Sequence, residues 1–204
     1  MTDVTPRPRV LLCATTTGYQ TRMFDQAAAR LGVELVLATD RCDRLDDPWR
    51  DRAIAVRFHD ERGALAAIRA ALPDARLDGV LAVGDRPAVL AAIVAEAWGL
   101  PWHSVAAARA ARDKRRFRAV QHTSGLAAPW TVTVPAGTSV VPDGVQYPCV
   151  VKPLVLSGSR GVVRADDAAA LTAALARVSG ILASPDVREQ RDVAASQLLV
   201  EGYV

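Results

Sequence analysis

Residues 147–163 read YPCVVKPLVLSGSRGVV. An apolar run carries Lys152 and meets Pro153, which has no N–H to donate and is expected to stop the ladder there. A small-residue loop follows and opens into a second short apolar run. At Ser157, Gly158, Ser159 and Gly161 the backbone N–H groups can approach an anion with little side chain in the way. Lys152 and Arg160 would add positive charge beside them. Flexible donors next to cations suit a polyphosphate, but a tight hairpin with a Ser/Gly tip satisfies the same pattern. The stretch is not a Walker A loop, since no GK[ST] closes it, and it has no GxGxxG spacing.

Around this segment the pattern predicts strands over 146–151 and 162–164 and a loop over 154–161. An alanine-rich helix is expected over 166–178, with Asp166 and Asp167 at its start, where acidic residues serve as caps. A last apolar strand is expected over 198–204, reading LLVEGYV. Upstream, 105–111 and 113–122 read as helices and 130–134 as a strand. The strands here are too widely spaced for βαβ units, which predicts an α+β arrangement.

Before Pro101 the rhythm differs. Strands are expected over 9–14, 33–38, 53–58 and 79–83. They alternate with helices over 22–31, 61–72 and 86–98, which end at Gly32, Pro73 and Gly99. Short alternation of this kind predicts a doubly wound α/β unit with a parallel sheet. The boundary is placed near Ser104, giving domains over 1–103 and 104–204. Ligands of such sheets lie at the strand ends, which makes Thr15, Thr16, Thr17, Gly18, Gly84 and Asp85 candidates for an acceptor site. Asp85 fits a helix N-cap equally well.

Of 25 Lys and Arg residues only Lys114 and Lys152 are lysine. Arginine serves everywhere else, so each lysine is either a place where a compact, flexible ammonium suits better than a planar fork or a surface residue left by chance, and for Lys114 alone a solvated helix face satisfies the pattern. Lys114 stands at the start of a helix in ARDKRRFRAVQHT, and Lys152 precedes the Ser/Gly loop. Glu201 is the one carboxylate of the last apolar strand. An adenine needs a flat apolar wall and an acceptor for its amino group, which that strand could offer, although taken alone the segment fits a strand-end carboxylate in water better.

The net charge of +3 is small and no basic stripe is interleaved with aromatics, so nucleic acid is not an expected partner. The loop after the first strand, ATTTGYQT, lacks the glycine spacing of a dinucleotide binder. No apolar stretch is long enough to span a bilayer, so no membrane partner is expected. Cys13, Cys42 and Cys149 are far apart with no CxxC spacing, which fits a reducing cytoplasm rather than a disulfide framework.

Taken in order, these segments resemble the ATP-grasp superfamily over most of the chain. The resemblance implies a Rossmann-like pre-ATP-grasp domain followed by a smaller α+β ATP-grasp subdomain, truncated at the adenine-binding strand. It implies that Lys114 and Lys152 hold the nucleotide phosphates and that the loop of Ser157, Gly158, Ser159, Arg160 and Gly161 closes over them. Glu201 would take the adenine amino group and the backbone of Val204 would meet the ring. The implied activity is ATP-dependent ligation, in which a small-molecule carboxylate becomes an acylphosphate and an amine attacks it. ATP and Mg2+ are the implied cofactors, and the resemblance leaves room for a homodimer. The family's magnesium and ribose ligands are expected beyond residue 204, so no catalytic residue is assigned and the fragment is expected to be inactive alone. The alternative is a non-catalytic nucleotide-binding sensor.

Overall fold

The computed structural model describes residues 6–15, 19–40, 53–72, 74 and 76–204. It divides into two compact units, Met1–Ala108 and Arg109–Val204.

In the first unit the apolar run RVLLCA forms β1 (Arg9–Ala14), followed by α1 (Tyr19–Leu31) and β2 (Glu34–Thr39). Gly32 turns the chain at φ 66°, a left-handed value that costs glycine little. Next come β3 (Ile54–Ala55), α2 (Glu61–Ala71), β4 (Gly79–Val83) and α3 (Asp85–Trp98). The four strands are parallel in the order β3-β2-β1-β4. Leu11, Cys13, Ala38 and Val80 share one core with Ile68 of α2 and Leu90 and Val94 of α3. Asp60 caps α2 through the Gly63 N–H, and Gly99 ends α3 in the left-handed conformation.

The expected third strand over 53–58 shrinks to two residues. Val56 and Phe58 are buried beyond the two strand residues, and the Val56 N–H still donates to the Thr39 carbonyl at 2.8 Å. Burial accounts for the apolar pattern beyond that last bond.

Helix α4 (Val105–Arg112) carries the division between the units. The second unit continues with α5 (Lys114–Thr123), β5 (Thr131–Pro135), β6 (Cys149–Pro153) and β7 (Val163–Ala165). Then follow α6 (Ala168–Leu182), the short α7 (Pro185–Arg188), a 3-10 turn (Val193–Ser196) and β8 (Gln197–Gly202). The sheet is antiparallel in the order β5-β8-β6-β7. The chain is thus a mixed α/β protein with one parallel and one antiparallel sheet.

Three expectations change here. Pro153 does not stop β6, because Pro153 still pairs with Leu198 of β8. The Tyr203 N–H donates to the Pro148 carbonyl, so alternate β6 residues 149, 151 and 153 turn their nitrogens toward β7. Pairing with β7 ends at Val151, and the missing proline donor therefore costs no ladder bond. Strand β8 ends at Gly202 rather than Val204. Asp167 alone caps α6, through the Ala170 N–H, whereas Asp166 pairs with Arg164.

Candidate functional site

Side chains alternate across a strand, and in the second sheet the two faces have different chemistry. Val134, Cys149, Val151, Leu198 and Val200 join Leu171, Leu175 and Val178 of α6 in one core. The register places Thr131, Thr133, Val150, Lys152, Leu199 and Glu201 on the opposite face. The apolar strand β8 therefore carries its internal carboxylate, Glu201, away from α6.

Glu201 is only 5% exposed, yet it is charged and paired. Arg118 grips it with two bonds, Nε to Oε2 at 3.0 Å and Nη2 to Oε1 at 3.1 Å. Lys152 Nζ forms an ion pair with Oε1. Val150 lies opposite Glu201 in the register, so Lys152 reaches it as the diagonal neighbour. Burial pushes the Glu201 carboxyl up, but the hydrogen bonds from Arg118 and Lys152 outweigh it and hold the group below the usual carboxylate range. A carboxylate has about four acceptor sites, and Oε2 receives only the Arg118 Nε bond among the described residues.

Helix α5 supplies the cations. Asp113 caps it by accepting from the Arg115 and Arg116 N–H groups. Lys114, Arg118 and Gln121 then fall at i, i+4 and i+7, on one side of the helix. Arg118 Nη1 donates to Gln121 Oε1 at 2.7 Å. Lys114 Nζ donates to the carbonyls of Leu156 at 2.7 Å and Leu154 at 3.3 Å, and its own N–H also reaches the Leu154 carbonyl. Lys114 is thereby tied to the segment that leads from β6 into the Ser/Gly loop.

In that loop Gly158 and Ser159 both have positive φ, 62° and 57°. The Arg160 N–H closes the turn onto the Ser157 carbonyl, as in a type I′ turn. Among the described residues the N–H groups of Gly158, Ser159 and Gly161 have no acceptor. Gly161 has φ 79°, and a Cβ there would lie 3.2 Å from Pro153 Cδ and 3.4 Å from Val178 Cγ1. Glycine is required at this point because the loop base lies against both β6 and α6. Gly202 has a similar role: a Cβ would come within 2.8 Å of Trp130 Nε1.

Arg160 does not stand beside Lys152 as a spare cation. Its guanidinium is engaged by Asp186 and by the Ser184 hydroxyl, and it holds the Asp186 carboxyl well below the usual range. Val204 is almost fully exposed beyond the end of β8. The sequence reading missed Arg118 and Gln121. The signal was the i+4 spacing from Lys114, hidden among four arginines in RDKRRFR.

At the strand ends of the first unit, Gly84 has φ 95° and stands before α3, so Asp85 is the first helical residue rather than the cap. Its negative charge lies in the first turn, where the helix dipole favours it. Arg86 pairs with Asp40 at 2.8 Å and lies over the Phe58 ring. Thr15 directly follows β1, whereas the candidates Thr16, Thr17 and Gly18 lie outside the described residues. Among the described residues no three His, Cys, Asp or Glu gather as a metal site would require, and no helix is long and apolar enough to cross a membrane. Burial pushes the Cys13 thiol up to about 12 and also raises Cys149.

Comparison with solved structures gives the fold a class. The L-amino acid ligase from Bacillus licheniformis is 23% identical, with a TM-score of 0.66 over 98% of this chain and 45% of its own. The N5-carboxyaminoimidazole synthetase from Staphylococcus aureus, solved with ADP, is 15% identical with a TM-score of 0.62, covering 98% and 48%. The D-alanine–D-alanine ligase from Bacillus anthracis, solved with ATP, is 16% identical with a TM-score of 0.57, covering 97% and 59%. The chain thus spans about half the length of these structures. No curated protein matches it. Two family models match, the ATP-grasp N-terminal domain over residues 24–102 and the ATP-grasp domain over residues 145–204. The chain belongs to the ATP-grasp superfamily and carries the N-terminal portion of its fold.

Proposed function

We propose that this chain is the ATP-binding portion of an ATP-grasp ligase that activates a carboxylate as an acylphosphate for attack by an amine. The observation that carries this reading is the position of the two lysines. Lys114 is bound to the carbonyls leading into the loop 157–161, and Lys152 leaves β6 immediately before them. Two cations and three uncommitted loop N–H groups at one end of β6 are what a triphosphate needs for charge neutralisation and hydrogen bonding. Arg160 belongs to the loop, where its N–H closes the turn onto the Ser157 carbonyl and its side chain is held by Asp186. Oε2 of Glu201 keeps room for an adenine amino group, and Val204 follows on the same strand end. Catalysis in this class of reaction is chiefly positioning and charge neutralisation, and magnesium, if bound, would supply further neutralisation of the phosphate charge. No metal ligand is assigned to these residues.

The reading predicts preference for ATP over GTP, whose six-position carbonyl would face the Glu201 carboxylate. Glu201→Ala should reduce the preference by about 1–3 kcal/mol. Isothermal titration of both nucleotides into the chain tests this. Equal affinity for ATP and GTP would contradict the adenine assignment, and binding of neither would contradict the nucleotide reading itself. The same family chemistry requires the complete enzyme to release ADP only when an acceptor acid is present.

A further inference from the structure

Glu201 has two counter-charges of different character. Arg118 reaches both of its oxygens, is braced by Gln121, and stands in the body of α5. Lys152 reaches one oxygen through a single flexible ammonium, near the mouth of the loop 157–161. If a phosphate is to draw Lys152 away, Glu201 would be left buried, and a buried carboxylate without a cation is strongly unfavourable. We propose that Arg118 is a positioning residue, the permanent counter-charge of Glu201, which leaves Lys152 able to exchange Glu201 for a phosphate oxygen. Arginine suits the fixed role because its fork holds a carboxylate through two bonds and stays charged at any working pH. Lysine suits the exchanging role because it is a point charge on a flexible stem. Among the described residues the charged groups on Glu201 are these two. Its register partners Thr131 of β5 and Val150 of β6 bring no charge.

The exchange rests on the nucleotide reading above, but the division of labour can be tested without ligand. Lys152→Met mimics the departure of Lys152. The stability of the whole chain is then measured by denaturant unfolding from about pH 5 to about pH 8. Lys152→Met alone should keep the wild-type pH profile, because Arg118 still pairs Glu201. In the Arg118→Gln, Lys152→Met double variant Glu201 is buried without a cation. Its folded pKa should then lie above the unfolded value, so stability is present at the acid end and lost as pH rises. Arg118→Lys in the same background should restore the flat profile. A falling profile in Lys152→Met alone, or a wild-type profile in the double variant, would overturn the proposal.

If the double variant folds at no pH, Arg118→Gln alone carries the test. ATP binding to it should take up a proton, read as a binding enthalpy that varies with buffer ionisation heat, and should weaken roughly ten-fold or more between about pH 6 and about pH 8. Wild-type-like binding without proton uptake would overturn the proposal. Failure of the wild-type chain to bind ATP would instead sink the nucleotide reading, while the ligand-free profiles would still decide the role of Arg118.

Discussion

Among the described residues of the first unit the buried strand side chains carry no charge, Thr39 being the one polar member, and the ion pairs lie at the sheet's rims. Arg9 at the start of β1 pairs with Glu34 and Asp74, and Arg86 pairs with Asp40 past the end of β2. In the second unit Lys152 and Glu201 sit inside strands, on the face turned away from α6, and Arg118 joins them from α5. The carboxylates that Arg9 meets are about half exposed, so those rim pairs contribute little, whereas Arg86–Asp40 is better shielded. An internal pair carries a desolvation cost that apolar residues of similar volume would avoid. The contrast teaches where to look: charge retained inside a strand against that cost is a better sign of a binding face than a larger number of charges at a sheet edge.

The sharpest division would come from Leu11→Ala. Leu11 is fully buried in the parallel-sheet core, and truncation should cost the first unit about 2–5 kcal/mol. Under conditions where both units remain folded, nucleotide affinity of the second unit should be unchanged. Chemical denaturation alongside nucleotide titration would show this, and lost affinity in a folded variant would blur the contrast.

Gly161→Ala should cost the second unit about 1–3 kcal/mol, because the residue adopts a left-handed φ and its Cβ would press on Pro153 and Val178. Gly158→Ala makes the control. It has φ 62° but nothing within 4 Å of its Cβ, so it should lose less than Gly161→Ala in the same unfolding assay.

A smaller effect is expected from pH. The folded-state pKa of Glu201 is lowered, so its pairing contributes stability that is present above the unfolded carboxylate pKa and lost as pH falls through the lowered value. The difference between wild-type and Glu201→Gln unfolding curves should therefore shrink on acidification. A difference that grows toward low pH would show that burial, not Arg118 and Lys152, governs this carboxyl. Smallest of all, Arg160→Ala should leave Tm unchanged, because its partners Asp186 and Ser184 lie at the surface.

Much of this was legible in the sequence, for reasons that differ between the units. Apolar runs separated by Gly32 and Gly99 specify βαβ units locally, and β1, β4 and α3 fall within a residue or so of expectation. The scarcity of lysine pointed to Lys114 and Lys152. The partner of Glu201 was not legible, because Arg118 and Glu201 are far apart in sequence and only the antiparallel register and the α5 helix phase bring them together. Pro153 misled for a related reason. Whether a proline ends a strand depends on which neighbour its nitrogen faces, and that is a property of the sheet. The Asp186 partner of Arg160 was not legible either, because α7, which supplies it, is a four-residue helix with too little periodicity to predict.

The central claim is that Lys114 and Lys152 form a phosphate-binding pair at the end of β6. It is tested most directly by isothermal titration of ATP into the wild-type chain and the Lys114→Ala, Lys152→Ala double variant, with folding of the variant confirmed by circular dichroism. Each lysine should contribute about 1.5–3 kcal/mol, so a single substitution should weaken affinity roughly ten- to a hundred-fold and the double variant more. An ATP affinity in the folded double variant equal to that of the wild type would contradict the account.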